Sequence, residues 1–498
     1  MTTRLHLHPS FLIAPVDERI FGGFLEHLGR AVYGGVYEPG SPNADADGFR
    51  TDVMAALKRL RFTAMRYPGG NFVSGYDWWD GVGPRAERPT KLDLAWQSLE
   101  SNRFGTNEFM DLARKMGWTP MFAANLGTGT PVEARNWVEY CNGRAGSYWA
   151  DLRIEHGYPE PHNVKLWCLG NEMDGSWQIG HVPAREYAIR AQQTARLMKM
   201  YDPTLETVVC GSCGTGLPTY LEWDREVLDY CHDDVDYVSL HRYVGNHAGN
   251  SEDYLAVGPS IDQQIEEMDS MCRFVAARKR SKRRVFLSFD EWNVWYRSNH
   301  GEHVDGRAKH APPLLEEVYN LEDALVVGQF LNSFINHADS VKIANLAQIV
   351  NVIAPMLTMG DRLLIQSIFY PIEMVSKRRE GTAMRCAAEG PTVHSESHGE
   401  VAQVDASAIL HNAISLSVFL VNRSTTEPAE VALDVAGAAG LRLASGEIIT
   451  GRAPADANSL AEPDRVASAD FAEAHPVSGG ALLKLPPLSM FAGTFDLG

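Results

Sequence analysis

Glu172 and Glu291 each close a short apolar run. The first, Val164-Lys165-Leu166-Trp167-Cys168-Leu169-Gly170, ends in Asn171-Glu172, and the second, Val285-Phe286-Leu287-Ser288-Phe289, ends in Asp290-Glu291-Trp292-Asn293. Two carboxyl groups, distant in sequence and brought together on one face, can split a glycosidic bond: one protonates the departing oxygen and the other attacks the sugar carbon. Neither step requires a metal or an organic cofactor, so none is expected. A lone glutamate after an apolar strand is usually an ordinary loop residue. The pairing, with Asn171 beside one member, gives the signal its weight.

Short apolar runs bounded by polar residues read as strands buried on both faces. Eight occur, at residues 20–25, 62–67, 119–125, 164–170, 207–211, 235–241, 285–290 and 340–347. Amphipathic stretches such as residues 51–60 and 184–200 lie between them. Strand and helix alternating eight times is the sequence form of a (β/α)8 TIM barrel, in which side chains past the C-terminal strand ends converge on one open face. A doubly wound sheet would favour a Gly-rich phosphate loop after its first strand, whereas Phe21-Gly22-Gly23-Phe24 lies within a strand-like run. Beyond residue 381 the texture changes. Residues 414–421 mix alternation with a buried run, residues 429–435 alternate, and the loops are rich in Ala, Gly, Ser and Pro. This reads as a C-terminal, jelly-roll-like β-sandwich, with Leu5, Leu7 and Phe11-Leu12-Ile13 adding a strand. The expected division is a catalytic barrel at 16–381 and an accessory sandwich at 1–15 plus 382–498.

The chain has 498 residues, 45% hydrophobic and 22% charged, which suits a barrel plus a second unit. Its formal charge of −18 argues against nucleic acid or an anionic membrane as the main partner. No run approaches the ~20 apolar residues of a membrane span, and the N-terminal residues lack the pattern of a signal peptide. Seven scattered cysteines suit a reducing compartment. A cytoplasmic location is expected.

Four motifs, in order, resemble glycoside hydrolase family 51, the retaining α-L-arabinofuranosidases. They are Arg66-Tyr67-Pro68-Gly69-Gly70-Asn71, Gly170-Asn171-Glu172-Met173-Asp174-Gly175, Phe289-Asp290-Glu291-Trp292-Asn293-Val294-Trp295-Tyr296 and Asn345-Leu346-Ala347-Gln348. The resemblance implies Glu172 as general acid/base and Glu291 as nucleophile. It places Glu26, Asn71, Asn171 and Gln348 on hydroxyls of the sugar ring, Tyr243 on the nucleophile, His241 and Arg66 in the floor beneath it, and Trp96 and Trp295 as aromatic walls. It further implies arabinofuranosyl oligosaccharides as substrates and a homo-oligomer, a hexamer. Because neighbouring carboxyls in a partly dry pocket cannot both ionise cheaply, Glu172 is expected to be the raised one, with Tyr243 and Arg66 keeping Glu291 ionised.

Other features read more plainly. Cys210-Gly211-Ser212-Cys213 has redox-motif spacing but follows the fifth strand. His394-Ser395-Glu396-Ser397-His398 lies in a loop-rich region, and residues 278–284, the one basic run, read as a solvated helix end. Gly69-Gly70 would let a ligand approach the backbone. Ser176, where the family commonly has proline, and Arg242, Val244 and Trp79 depart from the family pattern, which bears on the leaving group. A pyranoside-cleaving activity of the same clan keeps both glutamates but needs another ring pocket. A non-catalytic sugar-binding barrel should have lost a carboxylate. A Schiff-base aldolase needs a lysine at an open strand end, whereas Lys165 and Lys342 lie inside runs.

Overall fold

The computed structural model describes residues 2–298, 308–411 and 414–497; Met1 and Gly498, the ends of the expected sandwich ranges, lie outside them. Eight parallel strands close a barrel: β1 (Gly22–Phe24), β2 (Ala64–Tyr67), β3 (Thr119–Ala124), β4 (Leu166–Leu169), β5 (Glu206–Cys210), β6 (Tyr237–Val244), β7 (Phe286–Val294) and β8 (Val341–Ala347). Alternation decides which side chains face inward. Met121 and Ala123, Leu166 and Cys168, Val208, Tyr237 and Ile343 gather with Val73 in one apolar cluster inside the barrel, while Phe122, Trp167, Val209 and Val238 pack outward. Above that apolar layer the inward positions turn polar: Arg66, Ser239, Asp290 and Asn345 are all buried.

The helices form where apolar residues recur at helical spacing. Thr51–Leu60 buries Val53, Ala56, Leu57 and Leu60 and stops where Arg61 turns left-handed at φ 53. Ala184–Tyr201 buries Tyr187, Ala188, Ala191, Ala195 and Met198. Leu321–Asn336 is buried on every side, because the barrel covers one face and the sandwich the other. Gly328 permits that approach: a Cβ there would lie 2.5 Å from the Met490 sulfur. Polar stitches cross the same boundary, with Asn332 Nδ2 donating to Asp405 at 2.7 Å and Ser407 Oγ to Asn332 at 2.7 Å.

The C-terminal strands form a ten-stranded sheet around a separate apolar core that includes Leu5, Leu7, Val418, Leu433, Leu483, Phe491 and Phe495. Residues Ser415–Asn422 and Ala429–Val435 are strands, as their patterns predict. The N-terminal strand Thr2–Pro15 lies in the middle of this sheet, antiparallel to Thr382–Glu389 and parallel to Ala429–Val435. Leu5 and Leu7 enter the core as expected, but the register shifts between Leu7 and Leu12, leaving Phe11 60% exposed.

Three other readings are refined. The basic run caps the helix Gly258–Arg278 and is held by acids, with Arg278 on Asp229, Arg283 on Asp236 and Arg284 on Asp269. Trp79 and Trp78 stay out of the main cavity; Trp78 stacks on Trp137, the rings 5.8 Å apart. His394 pairs with Glu400, and all seven cysteines are free thiols.

Candidate active site

The two glutamates reach the C-terminal face of the barrel by different routes. After β4 the chain turns through Gly170 at φ 96 and Glu172 at φ 44. The second is a left-handed conformation rare for a residue with a side chain, a strain that clusters at functional sites. Glu291 lies inside a strand. β7 was expected to end at residue 290 and instead runs on to Val294, with its register against β6 broken between Ser288 and Glu291 and against β8 between Phe289 and Trp292. A bulge of this kind re-aims side chains. It lets consecutive acids work on the same side: Asp290 meets Cys168, Ser239 and His241, and Glu291 meets Arg66 and Tyr243.

Every expected residue lies in or beneath one cavity of about 760 Å³. Its walls include Glu26, Asn71, Trp96, Glu172, His241, Tyr243, Glu291, Trp295 and Gln348. Arg66 and Asn171 are buried behind that wall. Arg66 Nη1 donates to Glu291 Oε1 at 2.8 Å, its Nη2 donates to Asn171 Oδ1 at 2.7 Å, and the guanidinium lies 4.5 Å over the Phe24 ring. Tyr243 OH donates to Glu291 Oε2 at 2.9 Å. Glu172 takes His241 Nδ1 on Oε1 at 2.9 Å and Trp177 Nε1 on Oε2 at 2.8 Å. Across the cavity Glu26 accepts from Phe72 N (2.9 Å), Trp96 Nε1 (3.0 Å) and Gln348 Nε2 (3.1 Å). Gln348 follows Ala347 through a cis peptide. Trp295 meets the Tyr243 ring edge-on at 5.5 Å.

The free site distributes protons differently from the expectation. Burial raises Glu172, but the hydrogen bonds and charge of His241, with Trp177, outweigh it and hold the carboxyl below its ordinary value. Burial raises Glu291 as well, and with the Glu172 charge beside it this prevails over His241 and Arg66. The expected order is therefore reversed, because His241 leans on Glu172 (2.9 Å) more closely than on Glu291 (3.6 Å). Burial opposes charge on His241 too, yet Glu291, Asp290 and Glu172 together push it up to about 10. Glu26 is pushed up to about 8, chiefly by burial, and so is protonated near neutrality.

Glu172, His241 and Glu291 bring one donor atom each within 4.8 Å of one another. Two carboxylates and an imidazole can hold a divalent cation. Here, however, protonated His241 offers hydrogens on both ring nitrogens, and Arg66 already sits on Glu291. The triad carries its own cations.

Gly70 has a further part beside the expected one. It lines the cavity, and a Cβ there would fall 2.4 Å from both Glu26 carboxylate oxygens, so the missing side chain makes room for Glu26 as well.

Two family models match the chain: an α-L-arabinofuranosidase 1 domain over residues 56–256 and an α-L-arabinofuranosidase C-terminal domain over residues 290–489. An intracellular exo-α-(1→5)-L-arabinofuranosidase of Halalkalibacterium halodurans is 48% identical over 437 residues, 87% of each chain. An exo-α-(1→6)-L-arabinofuranosidase of Bifidobacterium longum is 43% identical, covering 85% of this chain and 83% of its own. The solved structure of a family 51 α-L-arabinofuranosidase from Bifidobacterium longum superposes with a TM-score of 0.94 at 36% identity, covering 99% of each chain.

The chain belongs to the family 51 α-L-arabinofuranosidases. It is thus a glycoside hydrolase on a barrel-plus-sandwich frame. Against this family background, three neighbours of the glutamates stand out that residue reasoning missed. Trp177 bonds Glu172 while 53% exposed; a tryptophan five residues past the glutamate was the available signal. Asp290 ties Arg66 to His241, and Ser239 donates to Asp290 at 2.5 Å. Paired acids Asp290-Glu291 and the two-residue step from Ser239 to His241 were both legible in sequence, but only the bulge in β7 shows that they share a side.

Proposed function

We propose an exo-acting, retaining α-L-arabinofuranosidase that releases terminal L-arabinofuranose from arabinan and arabinoxylan oligosaccharides by double displacement. The observation that carries this reading is the spacing of the carboxyls. An oxygen of Glu172 lies within 4.8 Å of one of Glu291. That favours retention, where the groups sit ~5–5.5 Å apart, over inversion, where ~6.5–9.5 Å leaves room for a water.

The partners support the division of labour. Arg66 and Tyr243 both donate to Glu291, arranging its oxygens for attack at the anomeric carbon. A bond forms from Glu291 to that carbon as the glycosidic bond breaks, and the leaving oxygen keeps the electron pair and takes a proton from Glu172. Water then attacks the glycosyl ester, giving its proton to Glu172 and returning Glu291 as carboxylate. The pair and His241 hold the needed proton between them. Once Glu172 is neutral it no longer raises Glu291, so one proton serves both roles in turn. Glu26, Trp96 and Gln348 form a compact pocket for the sugar ring opposite.

The free-site proton order, taken alone, favours exchanged roles. The partners of each group weigh more, since only Glu291 has two donors besides His241 and only Glu172 reaches the exposed Trp177 at the mouth. The relatives are named for (1→5) and (1→6) linkages, and an arabinan-type linkage is the reading adopted. We extend the proposal to a barrel at 16–381 with a sandwich at 1–15 plus 382–498, a cytoplasmic location in line with the relatives' names, and a homohexamer checked by sedimentation. Among the described residues no helix is long and apolar enough to cross a membrane.

The test is proton NMR of 4-nitrophenyl α-L-arabinofuranoside hydrolysis. The α-anomer of arabinofuranose should appear first. The β-anomer first would overturn retention, and turnover of aryl pyranosides alone would overturn the furanosidase reading.

A further inference from the structure

Arg242 lines the cavity rim, yet no carboxylate partners it. Its Nη1 donates to Thr215 Oγ1 at 2.9 Å and its Nη2 to Ser260 Oγ at 3.0 Å, while its buried Nε meets no acceptor. Two of its N–H groups are thus spent on neutral hydroxyls, and a guanidinium has five. Among the described residues no acid lies within ion-pair distance. Burial holds its pKa below arginine's ordinary value, and Tyr220 is the one group opposing that fall. The other arginines at this end behave differently: Arg66 meets Glu291 and Arg297 meets Asp323.

Its position adds the direction. Thr215 belongs to a loop of which Cys213, Gly214, Thr215 and Gly216 all line the cavity. That loop is tied to the turn carrying Glu172, since Cys213 N donates to Asp174 Oδ2 at 2.9 Å. Arg242 therefore stands on the acid side, away from Glu26, Trp96 and Gln348. There is room beside it, because a Cβ at Gly214 or Gly216 would meet nothing within 4 Å. His398, on the sandwich, also feels this charge: burial lowers it, and Arg242 and Arg423 add to the fall against Asp253. Asp253 itself is engaged by Ser395 and Ser397.

A partly buried cation satisfied only by hydroxyls is a recognition element awaiting an anion, since guanidinium pairs with carboxylate bidentately and more strongly than with neutral acceptors. From this we infer that Arg242 is a specificity-determining residue that accepts a carboxylate on the leaving-group side of the scissile bond, so that the enzyme favours arabinofuranosides of acidic aglycones, uronic acids among them. The inference rests on the arabinofuranosidase reading above. The chain's charge of −18 opposes such a substrate at long range, but screening over about 8 Å in physiological salt leaves the local contact to decide.

The probe is a pair of substrates, 4-carboxyphenyl α-L-arabinofuranoside and its methyl ester, compared by kcat/KM in wild type, Arg242→Gln and Arg242→Lys. Intrinsic leaving-group reactivity cancels when acid-to-ester ratios are compared between enzymes. The ratio should be about tenfold higher in wild type than in Arg242→Gln, the worth of one charge-assisted hydrogen bond, with Arg242→Lys between them and the gap narrowing as salt rises. Equal ratios in all three enzymes would overturn the inference. A wild type that cleaves neither compound would instead overturn the arabinofuranosidase reading, so the two failures are distinct.

Discussion

The Glu172 turn and the Glu291 strand hold the same side chain in opposite ways. Glu291 sits within β7, buried, with Arg66 and Tyr243 on its two oxygens and Asn293 pinned to the carbonyls of Ala347 and Ile353 at 2.7 and 2.6 Å. Glu172 sits on a left-handed turn, and one of its two donors, Trp177, is half exposed. In the proposed mechanism Glu291 is the nucleophile, which must be aimed within a fraction of an ångström, and a strand braced on both sides supplies that. Glu172, the proposed acid/base, must gain and lose a proton while a leaving group departs past it, and a turn at the mouth leaves space for that exchange. The contrast teaches that the fold separates aiming from exchange by backbone type.

The hardest blow to the comparison should come from Glu291→Ala. We expect a loss of roughly 10⁵-fold in kcat on 4-nitrophenyl α-L-arabinofuranoside, as on removing a covalent nucleophile elsewhere, and azide should then yield the β-azide. Glu172→Ala should cost about 10²–10⁴-fold on arabino-oligosaccharides and much less on the nitrophenyl substrate, whose leaving group needs little protonation. Azide should restore its turnover and give the α-azide; exchanged azide products would mean exchanged roles. Tyr243→Phe removes a donor to a charged carboxylate, a bond worth about 1.5–3 kcal/mol, so kcat/KM should fall about 10- to 100-fold while the fold, followed by circular dichroism, persists.

Trp177→Phe probes the looser side. Without the indole N–H the Glu172 pKa rises, and because Glu172 is the lower of the pair in the free site, the acidic limb of the kcat/KM profile should move to higher pH by less than about one unit, with an effect of a few-fold at most. An unmoved limb would show that His241 alone sets that group. The last effect is on stability rather than turnover, and it belongs to Glu26. Its folded pKa of about 8 exceeds the ordinary 4.5, so the native state binds the extra proton and stability falls as pH rises through that window. In Glu26→Gln the decline of Tm between pH 4.5 and 8 should be shallower.

Much of this frame could be read from residues. The eight apolar runs mark the eight barrel strands to within about three residues at most ends, because parallel strands buried on both faces leave continuous apolar stretches. The helix 51–60 and the strand 429–435 fall where their periodicity puts them. β7 was misjudged at its end because Asp290-Glu291-Trp292-Asn293 looks like a loop, and only the bulge makes strand of it. The part Gly70 plays for Glu26 escaped because nothing local reveals that the carboxyl fills the space beside it. The proton order escaped for a similar reason: it hangs on His241 being 0.7 Å nearer one carboxyl than the other, as its 2.9 and 3.6 Å contacts show.

The N-terminal strand has a consequence for biosynthesis. Thr2–Pro15 is made before the barrel, yet both of its neighbours, Thr382–Glu389 and Ala429–Val435, are made more than 360 residues later. At the ~5–20 residues per second of synthesis, that strand waits some tens of seconds with its backbone unpaired while the barrel segments emerge. Unpaired strand edges invite association with other chains. The barrel can thus be largely translated before the first strand finds its place, and ribosomes slowed between the two units would lengthen the interval in which nascent chains can pair with one another.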